Sequence, residues 1–246
     1  MVKVISIISL ILLFFTSCNA RINGVLTRNG QADLQISASL EPRMASLLRR
    51  LADVSGSDQS GILLLDGPAI SASFLSASGV SSAALKNISS NDIEGPVKIL
   101  NLNEFLSGSF GGSLGGSQKS FIEFSQSNSS GTGRCTISLN LDSGPSILAL
   151  ISPDVTDYLS ALMAPIATGE ILTKEEYLSL VSSVWGKGIA DEIAGAKLLA
   201  SIEFPGIITK VKGGGFSGKK ADFNIPVLDI LVLESALSYE VEWKLF

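Results

Sequence analysis

The chain has 246 residues, with 18 Lys or Arg against 23 Asp or Glu, a formal charge of −5, two cysteines and no histidine. An acidic balance without a basic patch excludes nucleic acid as a partner, and the lack of histidine removes Ser-His-Asp and Cys-His catalysis together with clustered Cys/His metal sites. With 17% charged residues and a mean hydropathy of +0.40, the chain suits a large core, an apolar cavity or a surface that meets lipid.

The chain opens on Lys3, followed by Val4 to Phe15, which is apolar apart from Ser6 and Ser9. That run is too short for the roughly 20 residues of a spanning helix and matches the apolar region of a secretory signal. Phe15-Thr16-Ser17-Cys18 puts small residues before a cysteine and resembles the lipobox of bacterial lipoproteins, with Phe15 where a leucine is usual. The resemblance implies a signal peptide over 1–17 and diacylglycerol on the Cys18 thiolate, the one nucleophile there able to take it. Acyl chains such as palmitate contribute about 0.8 kcal/mol per buried CH₂, so they would tether the protein to one leaflet. The location implied is the bacterial cell envelope, outward of the cytoplasmic membrane; which membrane stays open. Acylation of Cys18 would leave Cys135 without an intramolecular partner, so no disulfide is expected. Residues 18–31 then read as anchor and tether.

Past the tether, Leu34, Ile36, Ala38 and Leu40 alternate with polar residues, the pattern of a strand buried on one face. Pro42 opens a helix with Met44, Leu47, Leu48 and Leu51 on one stripe. Ile62 to Leu65 predicts a short strand, and a helix follows from Pro68, capped near Asp66 or Gly67 and ended by Gly79. Val80–Asn87 and Pro96–Leu102 read as two further strands. These elements form a first half, 32–106, separated by a Gly/Ser linker at 107–118 from a second half, 119–246.

The second half starts with a hairpin, "KSFIEF" against "CTISLNL", in which Ile137, Leu139 and Leu141 alternate with polar residues. Ser152-Pro153 begins a helix with Val155, Leu159, Leu162 and Met163 on one face, ended by Pro165. "TKEE" makes a capping box from Thr173 to Glu176, and the helix it starts carries Tyr177, Leu180, Val181 and Val184 inward until Gly186 and Gly188 break it. A third helix, about Ile189 to Leu198, turns Ile193 and Ala196 inward. Two β-rich runs then flank a glycine hairpin turn at Gly213–Gly218, and Tyr239, Val241 and Trp243 mark a last strand with one wet face. Loose echoes between the halves, "DLQISASLEP" with "TISLNLDSGP" and "ASFLSASGVSSAAL" with "ASIEFPGIITKV", leave open a duplicated strand-helix-strand-strand unit. The fold class expected is α+β, with mostly antiparallel sheets and helices packed on one face.

No motif carries chemistry. The cluster at Ser107–Ser117 lacks the Lys-Ser/Thr of a phosphate loop, and Ser217-x-x-Lys220 lies in a turn rather than on a helix. Glu175-Glu176 and Asp191-Glu192 sit where predicted helices begin, positions in which acids complement the dipole. The sequons at Asn87 and Asn128 are discounted for a bacterial envelope protein. No catalytic residue, cofactor or metal is expected.

One stretch, Phe204-Pro205-Gly206 followed by a glycine turn and an alternating strand, resembles the C-terminal half of the LppM-type domain of bacterial lipoproteins. More widely, Ser152-Pro153-Asp154 with Tyr158, Met163-Ala164-Pro165 and the closing Tyr-Glu-Val-Glu-Trp resemble spirochaetal lipoproteins. The resemblance implies a lipid-anchored α+β domain with an apolar cavity that binds lipid; the helical segment Pro153–Leu198 lies outside the LppM-like match. Two functions follow. One is a non-enzymatic envelope lipoprotein with a structural or interaction role, partnered by the membrane and by envelope proteins. The alternative is a lipid or amphiphile binder whose cavity, between sheet and helices, is lined by Leu159, Leu162, Met163, Leu180, Val184 and Trp185.

Overall fold

The computed structural model describes residues 18–54, 64–110, 122–127, 131–141 and 159–245. It is an α+β protein built on two sheets, both almost wholly antiparallel.

The larger sheet begins where a tether was expected. Strand β1 (Cys18–Leu26) pairs antiparallel with β2 (Ala32–Leu40) across a tight turn at Gly30. The tether reading treated "CNARINGVL" as an extension of the leader. Its alternation of Ala20, Ile22 and Gly24 with Asn19, Arg21 and Asn23 is instead that of a half-buried strand. Helix α1 (Pro42–Val54) follows after one residue, and Met44, Leu47 and Leu48 are buried along its stripe. Leu64 and Leu65 are buried in a bend, not a strand. Asp66 then caps α2 (Gly67–Ser76), its carboxylate accepting from Ala69 N at 3.0 Å. Beyond it, β3 (Val80–Ala83), β4 (Lys86–Asn87) and β5 (Asp92–Ile99) replace the two longer strands expected, with β5 pairing to β2. Helix α3 (Leu102–Phe110) takes residues assigned from sequence to the linker.

The hairpin of β6 (Ile122–Ser127) and β7 (Thr132–Leu139) forms as expected, with Cys135 inside β7 rather than at its start. The expected helix start at Ser152-Pro153 lies outside the described residues. Residues 159–161 are helical, and that turn closes just before Pro165 as expected; Pro165 in addition opens the short α4 (Pro165–Thr168), where a missing N–H costs nothing. Thr173 caps α5 (Lys174–Trp185) through a complete capping box with Glu176. Gly186 alone separates α5 from α6 (Lys187–Gly195), since Gly188 lies within α6. Ile193 and Ala196 are buried as read, but Leu198 belongs to the next strand.

The two runs beside the glycines do not form one hairpin. β8 (Lys197–Glu203) lies parallel to β1 in the large sheet, while β9 (Ile207–Lys212) crosses to the second sheet. After β10 (Gly215–Ser217) the chain returns, and β11 (Lys220–Pro226) pairs with β8. Gly213 makes the crossing at φ 78; a Cβ there would lie 2.5 Å from Tyr239 Cδ1. "VLDILV", within a run read as β-rich, is helix α7 (Val227–Val232), and β12 (Leu237–Lys244) closes the chain.

The large sheet therefore has the order β10-β11-β8-β1-β2-β5-β3, and the small one β6-β7-β12-β9. Strands from both sides of the predicted linker share the large sheet. One of the sequence echoes pairs α2 and β3 with β8 and β9, elements of different kinds. Ala20, Ile36, Ala38, Leu40, Ile93, Val97, Ala221 and Ile225 face a core covered by helices, while Asn23, Gln35, Glu94, Lys98, Asp222 and Asn224 point to the opposite, polar face. Among the described residues, no helix is long and apolar enough to cross a membrane.

Candidate functional site

The lipid-acceptor candidate, Cys18, is the first residue of a strand held on both sides. Asn19 pairs with Ser39, and Ala20 with both Ala38 and Leu198. The Asn19 amide donates to Glu41 Oε1 at 2.9 Å. The strand end is thus tied to the start of α1. That helix start is itself capped from a distance: Glu192 of α6 accepts from Arg43 N at 3.1 Å and Met44 N at 2.8 Å. Glu192 therefore serves the N-terminus of α1, not that of its own helix as expected, while Asp191 pairs with Lys187 one turn away. The carboxylate offsets the orphan donors and the positive end of α1.

The six residues assigned to a cavity do not share one environment. Leu159 and Leu162 are fully buried in the main core. Met163 is half-buried with a left-handed φ of 55. Leu180 and Trp185 are half-buried on α5, and Val184 is 51% exposed. The buried stripe of α5 runs instead through Tyr177 and Val181. Both Tyr177 Oη and Trp185 Nε1 are buried without a hydrogen-bond partner, and burial pushes the Tyr177 phenol up.

The small sheet contains the closing Tyr239–Trp243 run, and the Phe204-Pro205-Gly206 segment leads into its strand β9. Phe204 packs tilted against Trp243 with ring centroids 4.9 Å apart, and Phe124 stacks on the same indole at 5.8 Å. Trp243 is 1% exposed. Gly133, opposite it in register, leaves room for the indole: a Cβ there would lie 2.2 Å from Trp243 Cε2. This cluster was missed from sequence, because Gly133, Phe124 and Phe204 meet Trp243 only through strand pairing and chain crossing. The rim of a pocket of about 400 Å³ includes Gln126, Arg134, Thr209, Glu242 and Lys244, with Trp243 in its wall.

The outer face of the same sheet is less wet than its alternation suggests. Glu240 is buried, bonded to Lys210 Nζ at 2.8 Å and Arg134 Nη2 at 3.2 Å. Lys210 first, with Glu242 and Arg134 after it, draws the Glu240 carboxyl down to about 2. The hydrogen bond from Lys210 to Glu240 raises the lysine in turn. On the inner face, burial pushes the Cys135 thiol up to about 11, which leaves it protonated and unreactive at neutral pH. Among the described residues, no cluster of His, Cys, Asp and Glu could hold a metal ion.

No protein-family model matches this chain, and no curated protein matches it. Among solved structures, it is similar to the NMR structure of the folded domain of Mycobacterium tuberculosis LppM. Identity is 10%, the match covers 93% of this chain and 90% of that one, and the TM-score is 0.39. The comparison gives this chain no activity and no ligand. It names the protein type met in the Phe204-Pro205-Gly206 resemblance; nothing in it bears on a spirochaetal relationship.

Proposed function

We propose that this protein is a lipid-anchored envelope lipoprotein, non-enzymatic, with a structural or interaction role. One observation carries the reading. A leader of Lys3, a short apolar run and small residues ends at Cys18, and Cys18 lies in the paired strand β1, so a chain acylated there would carry its lipid on a residue held in the large sheet. The test is an intact mass of the full chain purified from bacterial membranes beside its Cys18→Ala variant. A mature chain starting at Cys18 and carrying diacylglycerol and acyl mass, lost in the variant, is the expected result. An unmodified wild-type chain in the soluble fraction would sink the reading.

A second reading, binding of a lipid or other amphiphile, is favoured by Tyr177 Oη and Trp185 Nε1. These are two buried polar atoms on α5 that lack partners among the described residues, and buried polar groups ordinarily have them. A ligand with polar groups reaching beneath α5 would supply a partner to either. Native mass spectrometry in mild detergent checks this: a noncovalent lipid adduct lost on denaturation supports the binder, and an adduct-free mass with no uptake of added phospholipid removes it.

A further inference from the structure

We infer that the Cys18 end of the large sheet is the face this protein holds against the lipid surface, in contact with the head groups and without a tether. The inference rests on the acylation of Cys18 proposed above. Asn19 is already in register with Ser39, and Ala20 with Ala38 and Leu198. A single residue, spanning at most about 3.6 Å, therefore separates the acylated cysteine from a strand fixed on both sides. The head-group layer is only about 5–8 Å deep on each side of the hydrocarbon, so the sheet end cannot stand clear of it.

Nothing described at this end holds the sheet away. One residue, Glu41, joins β2 to α1; one residue, Ala196, joins α6 to β8; β11 runs directly into α7. Among the described residues, the β4–β5 connection, 88–91, and residues 64–66, which lead into α2 and are bonded to Asn87, also lie there; the first carries Ile88, 55% exposed. The charges suit phosphate. Glu41 is bonded by Asn19, Asp92 by Ser89, and Glu192 by the first amides of α1. Arg43, Arg49 and Lys197 have no carboxylate within ion-pair distance among the described residues. Arg49 reaches only Asn91 and Ser90 in the same loop. The carboxylates of this end are engaged within the protein, while Arg43 and Lys197 pair with no carboxylate among the described residues, an arrangement that suits lipid phosphates.

The experiment uses the full chain, processed and acylated in bacteria, with Cys135→Ser and one new labelling site. Ser90→Cys or Lys197→Cys marks the Cys18 end. Asn29→Cys marks the opposite turn, about 23 Å away at the rise of a β-strand. Each carries a fluorophore in phosphatidylcholine vesicles containing nitroxide-headgroup lipid. Quenching several-fold stronger at positions 90 and 197 than at 29 is expected, as is loss of the difference when twelve Gly/Ser residues are inserted after Cys18. Equal quenching at all three sites on a chain whose mass shows acylated Cys18 would overturn the inference and leave the lipoprotein reading intact. A chain whose mass shows bare Cys18 would overturn both.

Discussion

Trp243 shows how one residue fixes a sheet. Its indole is sealed between Phe204 and Phe124 and lies directly over Gly133. Gly133→Ala puts a methyl group into the ring from a strand that cannot retreat without losing its ladder to β6 and β12. We expect a loss of about 1–3 kcal/mol, the usual cost of overpacking. It should read as a lower thermal midpoint and a red-shifted tryptophan emission, with Trp185 replaced by Phe to isolate the signal. Glu240 gives a second expectation. Its folded value lies below the ordinary 4.5, near 2. Its ionised form therefore stabilises the fold fully above pH 4.5, and that contribution drains away as pH falls toward 2. Glu240→Gln should flatten the acid limb of stability against pH in that window, measured by urea unfolding at a series of pH values.

Elements here are often held by residues far away in sequence. Glu192 caps α1 across 149 positions. Glu192→Ala leaves two amides of α1 without a partner, and loss of an N-terminal cap costs about 1–2 kcal/mol. Hydrogen exchange should accelerate at the first turn of α1 while α6 keeps its protection; equal acceleration in both would mean the residue supports α6 instead. This long reach also explains what the sequence could reveal. The strands β2, β6, β7, β11 and β12 and the capping box of α5 are written in local alternation and spacing, so they were legible. Helix α7 was not: a six-residue run buried on nearly every side has no period that separates helix from strand. β1 was hidden for another reason. It alternates over residues 19–24, but residues 18–31 were expected to be a tether. Glu192 was misplaced because an acid near a predicted helix start fits that dipole, and only the packing of α1 on α6 shows which helix it serves.

At the scale of the whole molecule, the sequence contained the strands but not their sheets. Nothing local distinguishes β9, which joins β12, from β11, which joins β8; the glycines at 213 and 214 looked like a hairpin turn and are a crossing between layers. The candidate residues divide the same way. Cys18 is singled out by a linear motif, into which strand pairing does not enter. The cavity residues were chosen from stripes that also serve as core, and they scatter from full burial at Leu159 to half exposure at Val184. Cys135 supplies a global probe. With its thiol raised to about 11 by burial, alkylation at pH 7.5 should be slow in the native state and fast in denaturant. Rapid native labelling would show that the small sheet opens locally.

The parallel pairing of β1 with β8 orders events in time. Translation proceeds from the N-terminus, so β1 and β2 can join early as a local hairpin, yet the other edge of β1 must wait for Leu198 and its neighbours. Closing so long a loop is slow, since its entropy is spent before the contact rewards it. Until β8 arrives, β1 offers an open ladder of amides and carbonyls beside Ala20 and Ile22, a template for pairing with another nascent chain. Fragments ending at Gly195 should therefore associate or aggregate, visible by size-exclusion chromatography, whereas the full chain keeps that edge covered. Strand β1 is among the first made and among the last completed, so any helper that shields this chain while it folds should be needed most on β1.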